Sequence, residues 1–316
     1  MSKSLLFCFF QRVSLAIFLA TNVAVCLAVD PIPDNSTSQP PAELIEPAAD
    51  KSTNKWKYNL FNPTPKELMR GLNTDRPDKT ESAYTVDAGH FQIEMDLLTY
   101  TYERYDTDRS SDTRTQSWSV APINLKVGLF NNVDLQMVFD NYTQQSTKDL
   151  ATGEQDETSG IGDITTRLKI NIWGNDGGKT AFGIMPFIKA PTNSSDLGNN
   201  AVEGGVIFLL AVALPYGWDM GAMTEYDFVR DNVTTGYETE FVNTITFGHD
   251  IIGKLGGYLE FFSSVSTQND SEWVGTVDVG FTYALTETIQ LDCGCNFGVT
   301  RAADDYNPFM GISMLF

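Results

Sequence analysis

The sequence is poor in the residues from which metal sites and most catalytic centres are built. Its 316 residues include 2 histidines and 4 cysteines. Histidine is the commonest metal ligand and a frequent general base, so we expect no metal site, no cofactor and no catalytic centre. Positive charge is also scarce, with 21 Lys and Arg against 41 Asp and Glu. Binding to nucleic acid is excluded, because neutralising phosphates needs clustered Lys and Arg.

Long apolar runs are absent except at the N-terminus. Residues 1–28 have a basic start, an apolar stretch and a small residue, Ala28, at the end. This pattern predicts a secretory signal peptide that is cleaved after Ala28. An N-terminal membrane anchor is the alternative, although Thr21 and Asn22 interrupt the apolar run and leave it short for a span.

Two segments of different character follow the signal peptide. Residues 29–57 hold five prolines among Ser, Thr, Asp and Ala, a composition that cannot bury enough apolar surface to order itself. We expect a flexible linker there. Residues 58–89 are irregular but contain aromatic and charged side chains, and we expect them to form an N-terminal plug or periplasmic segment that docks against the rest of the chain, 90–316.

From residue 90 onward the hydrophobic pattern has a period of two. In 289–300, six apolar side chains at odd positions alternate with six polar or small ones at even positions. Strict alternation predicts a strand with two different faces. Twelve such segments are present and none of comparable length has a helical period, so the predicted fold is all-β. The segments are 90–103, 115–129, 133–141, 161–173, 180–190, 203–214, 219–229, 237–248, 254–265, 272–285, 288–300 and 306–316.

The strands and their connections favour a membrane barrel over a soluble sandwich. Most segments run 9 to 15 residues, whereas soluble strands peak near five or six and a tilted membrane strand needs about 9–11. Short links such as 131–132 alternate with long polar ones such as 141–160, as in outer-membrane barrels. We predict a transmembrane antiparallel β-barrel of about 12 strands in the bacterial outer membrane, with its N-terminus in the periplasm.

The C-terminus supports this prediction. Apolar residues occupy every second position at the end of the chain, namely Met310, Ile312, Met314 and the terminal Phe316. This pattern is similar to the signal that the barrel-assembly machinery recognises in outer-membrane proteins. The expected partners are therefore that machinery, outer-membrane lipid and a small-molecule solute.

Placing the polar strand faces inward predicts a charged lumen with a basic sector on the second and fourth strands. Such a lumen could orient a permeating solute, or its charges could form a mutually satisfied network that fills the barrel. One segment, 206–214, is apolar on both faces, and we expect it to pack internally against a plug or neighbouring side chains. The predicted lumen-lining residues are Glu94, Asp96, Lys126, Asp134, Arg167, Lys169, Glu225, Asp227, Glu260, Asp278 and Asp292.

The remaining reactive residues have simpler interpretations than catalysis. His249 and Asp250 are adjacent, and adjacent side chains seldom converge on one substrate. An outer-membrane phospholipase would need a His-x-Ser pair, which neither His90 nor His249 supplies. Cys293 and Cys295 share the apolar face of one strand, so we expect small lipid-facing hydrophobic residues.

Three stretches resemble a known family. Residues 69–94 are similar to the opening of a bacterial barrel family associated with the phenol meta-degradation pathway. Gly160-Ile-Gly-Asp163 resembles its Gly-x-Gly-Asp strand start, and Pro186-Phe-Ile-Lys-Ala-Pro191 its Lys-x-Pro strand end. The resemblance spans about 66–316 and implies an outer-membrane barrel that passes hydrophobic or aromatic compounds. Its most specific block, 74–82, is expected to fold into the barrel mouth or lumen as a plug, with candidate residues Thr74, Asp75, Arg76, Pro77, Asp78 and Glu81.

The sequence therefore favours a passive outer-membrane channel or transporter for small solutes. A structural or surface-binding barrel, whose long loops 104–114 and 141–160 do the binding, is the alternative.

Overall fold

The computed structural model describes residues 55–104, 112–195, 197–231, 236–269 and 271–316. The predicted signal peptide, 1–28, and nearly all of the predicted linker, 29–57, lie outside these residues. Among the described residues, no helix is long and apolar enough to span a membrane.

The described residues form fifteen strands in one antiparallel sheet. The sheet closes on itself, because the last strand pairs with the first from Gln92–Leu315 to Tyr102–Tyr306. Closure removes the open strand edges that could not be tolerated in hydrocarbon. The strands are β1 (Phe91–Arg104), β2 (Thr113–Val120), β3 (Ile123–Phe130), β4 (Val133–Phe139), β5 (Tyr142–Asp149), β6 (Gln155–Gly160), β7 (Ile164–Trp173), β8 (Thr180–Ala190), β9 (Glu203–Ala213), β10 (Trp218–Arg230), β11 (Tyr237–Ile252), β12 (Leu255–Ser266), β13 (Val274–Ala284), β14 (Ile289–Gly298) and β15 (Tyr306–Leu315).

These fifteen strands make twelve barrel strands, which confirms the predicted barrel. Three barrel strands are interrupted once, so that β2 continues into β3, β4 into β5, and β6 into β7. In each case both halves pair with the same neighbouring barrel strand; β1, for example, pairs with β2 at one end and with β3 at the other. The first interruption lies at Ala121, which has a positive φ of 55°, and Pro122, which has no N–H to donate to a neighbour.

The prediction of a long loop over 141–160 is wrong. These residues form a hairpin, β5 and β6, that extends two barrel strands beyond the interruption and turns at 150–154. Its strands are polar on both faces, as in Tyr142–Asp149, and so carry no hydrophobic alternation. The sequence pattern therefore ends where the apolar outer surface ends, although the strands continue.

The barrel wall has an apolar outer face and a mostly polar inner face. Along β13, Asp278 is fully buried, whereas its neighbours Val279 and Phe281 are exposed on the outside. The same alternation places Cys293 on the outside of β14. The slightly negative mean hydropathy of the whole chain averages over these two faces.

The two rims of the barrel differ in their connections. The first residue of β1, Phe91, and the C-terminal residue Phe316 meet through backbone hydrogen bonds at the rim with short turns, here called the short-turn rim. The opposite rim, here called the long rim, carries most of the longer connections. Outward-facing aromatic side chains lie near both rims: Trp273 and Tyr283 bracket β13 ten residues apart. With a rise of about 3.3 Å per residue and a tilt near 40°, that separation is about 25 Å, the height of a lipid-facing band.

The described part of the N-terminal segment, 55–90, lies against the short-turn rim and the inner face of the barrel. Backbone bridges join Asn59 to Phe130 and Ala88 to Gly128. A Cβ on Gly128 would lie 2.0 Å from the carbonyl oxygen of Asp87, so only glycine allows the segment to approach the wall this closely. Residues 73–83 contact the inward-facing side chains described next.

Candidate functional site

The structure places all eleven predicted lumen-lining residues on the strand face that turns towards 73–83. The cross-strand register shows this directly: Glu260 pairs with Asp278, Asp278 with Asn296, and Asp134 with Lys169. Nine of the eleven contact the N-terminal segment through hydrogen bonds or ion pairs. These nine are Glu94, Asp96, Lys126, Asp134, Arg167, Lys169, Glu260, Asp278 and Asp292.

The basic sector of the wall surrounds Asp75. The carboxylate of Asp75 accepts hydrogen bonds from Lys126 and, at 2.5 Å, from Lys169. Lys126 also donates to Glu94, which in turn accepts from the backbone N–H of Asp75 at 3.1 Å. All four side chains are buried. The N-terminal segment thus supplies a negative charge that the two wall lysines require, since buried charges are stable only when paired.

A second contact joins the segment to β1 and β14. Arg76 donates to Asp96 at 2.6 Å and to Asp292 at 2.6 Å and 3.3 Å. The planar guanidinium suits this use, because its donors can serve two carboxylates at once. The position opposite is Gly311, where a Cβ would lie 2.2 Å from Arg76 Nη2. The small residue therefore leaves the space that the guanidinium fills.

The next residues, Lys79 and Thr80, bind the acidic wall. Glu260 accepts from the backbone N–H of Lys79 at 2.8 Å and from the Thr80 hydroxyl at 2.5 Å. The Thr80 hydroxyl also lies 2.7 Å from that of Thr244. Lys79 Nζ lies 3.2 Å from Asp278, whose carboxylate oxygens have no hydrogen-bond partner among the described residues. Lys79 and Thr80 were not predicted, although both lie within the block that carries the family resemblance.

Glu81 completes the contacts of the segment with charged wall residues. It accepts from Arg167 at 2.5 Å. Glu225 and Asp227 lie on the same inner face nearer the long rim, where Asp227 Oδ1 has no partner among the described residues. The predicted charged residues of the lumen therefore form two groups. Nine contact the segment, and two, Glu225 and Asp227, form no hydrogen bond or ion pair with its described residues.

The other predicted plug residues have lesser roles. The Thr74 hydroxyl donates to the carbonyl of Arg76 at 2.5 Å. The carbonyl of Pro77 accepts from the Tyr258 hydroxyl at 3.5 Å, and Asp78 is partly buried in the same stretch.

An apolar sector lies beside the charged one. Ala83 packs with six buried side chains of β8 to β11, and Tyr84, Phe187, Ala211 and Phe262 flank this cluster. Two of the six belong to the stretch that is apolar on both faces, so its inner face does pack against the N-terminal segment. The six side chains are Ala181, Met185, Ile207, Leu209, Met223 and Val242.

The segment is anchored at the short-turn rim by Asp176, in the turn between β7 and β8. Its carboxylate accepts from Lys55 at 2.7 Å and from Arg70 and Asn131 at 2.8 Å each. Burial alone would raise the pKa of Asp176, but these hydrogen bonds and the charge of Arg70 outweigh it and hold the pKa below its ordinary value. A cavity of about 300 Å³ lies beside this anchor, between 70–73, 84–87 and the wall at Gln92 and Leu315.

The residues considered for catalysis or metal binding are dispersed. His90 lies between the carbonyls of Phe316 and Thr64, and His249 beside that of Tyr216. In the part of the chain that the structure describes, no three His, Cys, Asp or Glu side chains are placed to hold a metal ion.

The chain belongs to the family described as putative MetA-pathway of phenol degradation, which matches residues 74–316. The match begins at Thr74, the second residue of the stretch 73–83 that contacts the inner wall. No curated protein matches the chain.

Among solved structures, the chain is similar to an outer membrane channel from Pseudomonas putida F1. The identity is 12%, the TM-score is 0.56, and the alignment covers 80% of this chain and 99% of the other. A more distant likeness is the transport unit of the autotransporter AIDA-I from Escherichia coli, with 8% identity, a TM-score of 0.46, and coverage of 78% and 93%. The first likeness establishes a shared fold, that of a bacterial outer-membrane β-barrel.

Proposed function

We propose that the protein is a passive outer-membrane channel for small solutes, and that the N-terminal segment 58–89 acts as its plug. The observation that carries the proposal is the set of charge contacts between 75–81 and the wall. These contacts join opposite sides of the barrel, from Lys169 on β7, which binds Asp75, to Asp278 on β13, which pairs with Lys79 six barrel strands away. A segment that crosses the interior narrows the path through the barrel, which suits a selective channel, whereas a barrel with a purely structural role has no need of one.

The proposal includes an orientation. Short turns and both chain termini lie on the periplasmic side in outer-membrane barrels, so the short-turn rim faces the periplasm and the long rim faces outward. A solute entering from outside meets Glu225 and Asp227 before it reaches the plug. The Pseudomonas putida channel of the same fold supports the assignment to the outer membrane.

The apolar sector supports a preference for solutes with an apolar body. Phe187 and Phe262 flank the buried cluster on the inner face. Inner faces of open porins are polar because they line water, and an apolar inner sector is favourable only where it packs or contacts apolar groups. We infer that hydrophobic or aromatic compounds pass along this sector.

The experiment is permeation into proteoliposomes, with and without residues 60–89. The full chain should admit small aromatic solutes faster than sugars of similar size, and the deletion should raise the permeability to both. Unchanged permeability after the deletion would dismiss the plug. Absence of permeation by either protein, with folding shown by heat-modifiable migration, would dismiss the channel.

A second candidate function is surface binding, favoured by the hairpin of β5 and β6. Together with β2 it forms a sheet of polar strands beyond the interruptions. Surface binding would be established if the protein bound a ligand through this sheet and showed no conductance.

A further inference from the structure

Three basic side chains lie directly opposite one another on neighbouring strands near the long rim. Arg104 of β1 pairs with Arg114 of β2, and Arg114 pairs with Lys148 of β5. Side chains that are directly opposite in an antiparallel sheet have Cβ atoms about 5 Å apart and point to the same face, and like charges so placed are destabilising. The arrangement, here called the basic row, therefore favours an anion that bridges its members.

Internal partners neutralise the basic row only in part. Asp112 lies 3.4 Å from Arg104, with both side chains about half exposed. Neither Arg114 nor Lys148 forms an ion pair with a carboxylate of the described residues, and the buried Nε of Arg114 has no hydrogen-bond partner among them. The nearest acid on the same face of β6 is Glu157, which accepts from Gln155 at 2.7 Å. Among the described residues, Arg114 and Lys148 therefore carry positive charges that no carboxylate pairs, in a chain whose overall charge is −20.

The basic row belongs to the outer face of the wall. Along β1 the outward positions beyond the bulge are Leu98, Tyr100, Tyr102 and Arg104, and Tyr102 pairs with the outward-facing Tyr306. The row is thus turned away from the lumen.

The row also lies at a specific height, just beyond a cluster of aromatic rings. The rings of Tyr100 and Trp118 are 4.3 Å apart, and those of Tyr102 and Tyr306 are 5.0 Å apart and stacked. Tyrosine and tryptophan mark the boundary between hydrocarbon and headgroups. Arg104 is two residues beyond Tyr102, about 7 Å along the strand, and therefore at headgroup level.

We propose that Arg104, Arg114 and Lys148 bind the phosphate groups of a phosphorylated lipid headgroup in the outer leaflet. This inference rests on the orientation in the proposed function, in which the long rim faces outward. Guanidinium groups bind phosphate oxygens through paired hydrogen bonds, and the ammonium adds a point charge. Bound phosphate would remove the repulsion within the row and hold a lipid against the aromatic cluster.

The test is native mass spectrometry of the full chain in micelles, titrated with bisphosphorylated lipid A. Each Gln substitution in the row should weaken binding about fivefold, and the triple variant R104Q/R114Q/K148Q about a hundredfold, since each cation near an anionic lipid surface contributes about 1 kcal/mol. K254Q is the matched control, because Lys254 is exposed at the opposite rim, where it donates to the carbonyl of Leu285. It should bind lipid A like the unchanged protein.

Two further arms identify the ligand. Dephosphorylated lipid A should bind as weakly to the unchanged protein as lipid A does to the triple variant. Inorganic phosphate at equal concentration should not displace the lipid, because it lacks the acyl chains that contact the aromatic cluster. Equal lipid A binding by the triple variant, or equal binding of the dephosphorylated lipid, would overturn the proposal, as would displacement by phosphate alone.

The same variants separate this proposal from the channel. The basic row lies outside the lumen, so the triple variant should keep the single-channel conductance of the unchanged protein. A protein that conducts but fails to bind lipid A overturns the lipid site alone. A protein that binds lipid A but does not conduct overturns the proposed function alone.

Discussion

Arg76 and Asp292 are 216 residues apart in the sequence, and their side chains meet at 2.6 Å inside the barrel. Asp292 is completely buried and pairs with no other cation among the described residues. Removing the guanidinium would leave this carboxylate and Asp96 facing each other without a counterion. The pair therefore links the position of the N-terminal segment to the electrostatics of the wall.

Replacing Arg76 should open the channel. In R76Q the segment loses its contact with β14, and the uncompensated carboxylates oppose its return. Recordings in planar bilayers should show longer and more frequent openings than in the unchanged protein. K66Q, which alters an exposed lysine of the same segment, should behave like the unchanged protein. Equal opening by R76Q and K66Q would show that the Arg76 contacts do not hold the plug.

Replacing Lys169 should destabilise the folded barrel. K169M removes one of the two cations bonded to Asp75, and breaking a buried pair on one side typically costs about 3–5 kcal/mol. Urea-induced unfolding in lipid vesicles measures the loss. The double variant K169M/D75N should recover part of it, because it also removes a buried negative charge. A double variant that is less stable than K169M would contradict the pairing.

The anchor at the short-turn rim should be released in acid. A pKa held below its ordinary value of 3.8 means that the anchor contributes its full stability above that pH and loses it as the pH falls through the folded-state value. Protease protection of 55–70 should accordingly be constant from neutral pH to about pH 4 and decline below it. In D176N the protection should be weaker and should lack this acid-dependent step. An unchanged acid step in D176N would assign it to another group.

The apolar sector should determine which solutes pass. L209N places an amide in the buried inner cluster and should slow the uptake of aromatic solutes several-fold while leaving sugars unaffected. L210A, which shortens a side chain on the outer face of the same strand, is the control for a change outside the lumen. If both variants admit aromatic solutes at the unchanged rate, the solute path lies elsewhere in the lumen.

The period-two pattern was sufficient to predict the strands and their two faces, because lipid on one side and water on the other impose alternation on every spanning strand. The strand lengths, the connection lengths and the C-terminal residues were then needed to favour a barrel over a soluble sandwich. The pattern also assigned the inward positions, Glu260 and Asp278 among them. It did not reveal that β5 and β6 are strands, since a strand with water on both sides has no reason to alternate.

The partners of the inner charges were equally beyond prediction. The wall residues that Arg76 contacts are determined by the path of an irregular segment and by the space at Gly311. Neither the path nor the space can be recognised in the local sequence. Two residues of the segment that contact the wall and were not predicted, Lys79 and Thr80, lie between the predicted candidates Asp78 and Glu81.

A reversible lock on the plug tests the central claim most directly. The hydroxyls of Thr80 and Thr244 lie 2.7 Å apart, so T80C/T244C in a background of C293S/C295S can join the segment to β11 by a disulfide. Single-channel conductance should be abolished in the oxidised protein and should return on reduction to the level of the C293S/C295S background. An oxidised protein that conducts like that background would contradict the account, because the solute path would then not require the N-terminal segment to move.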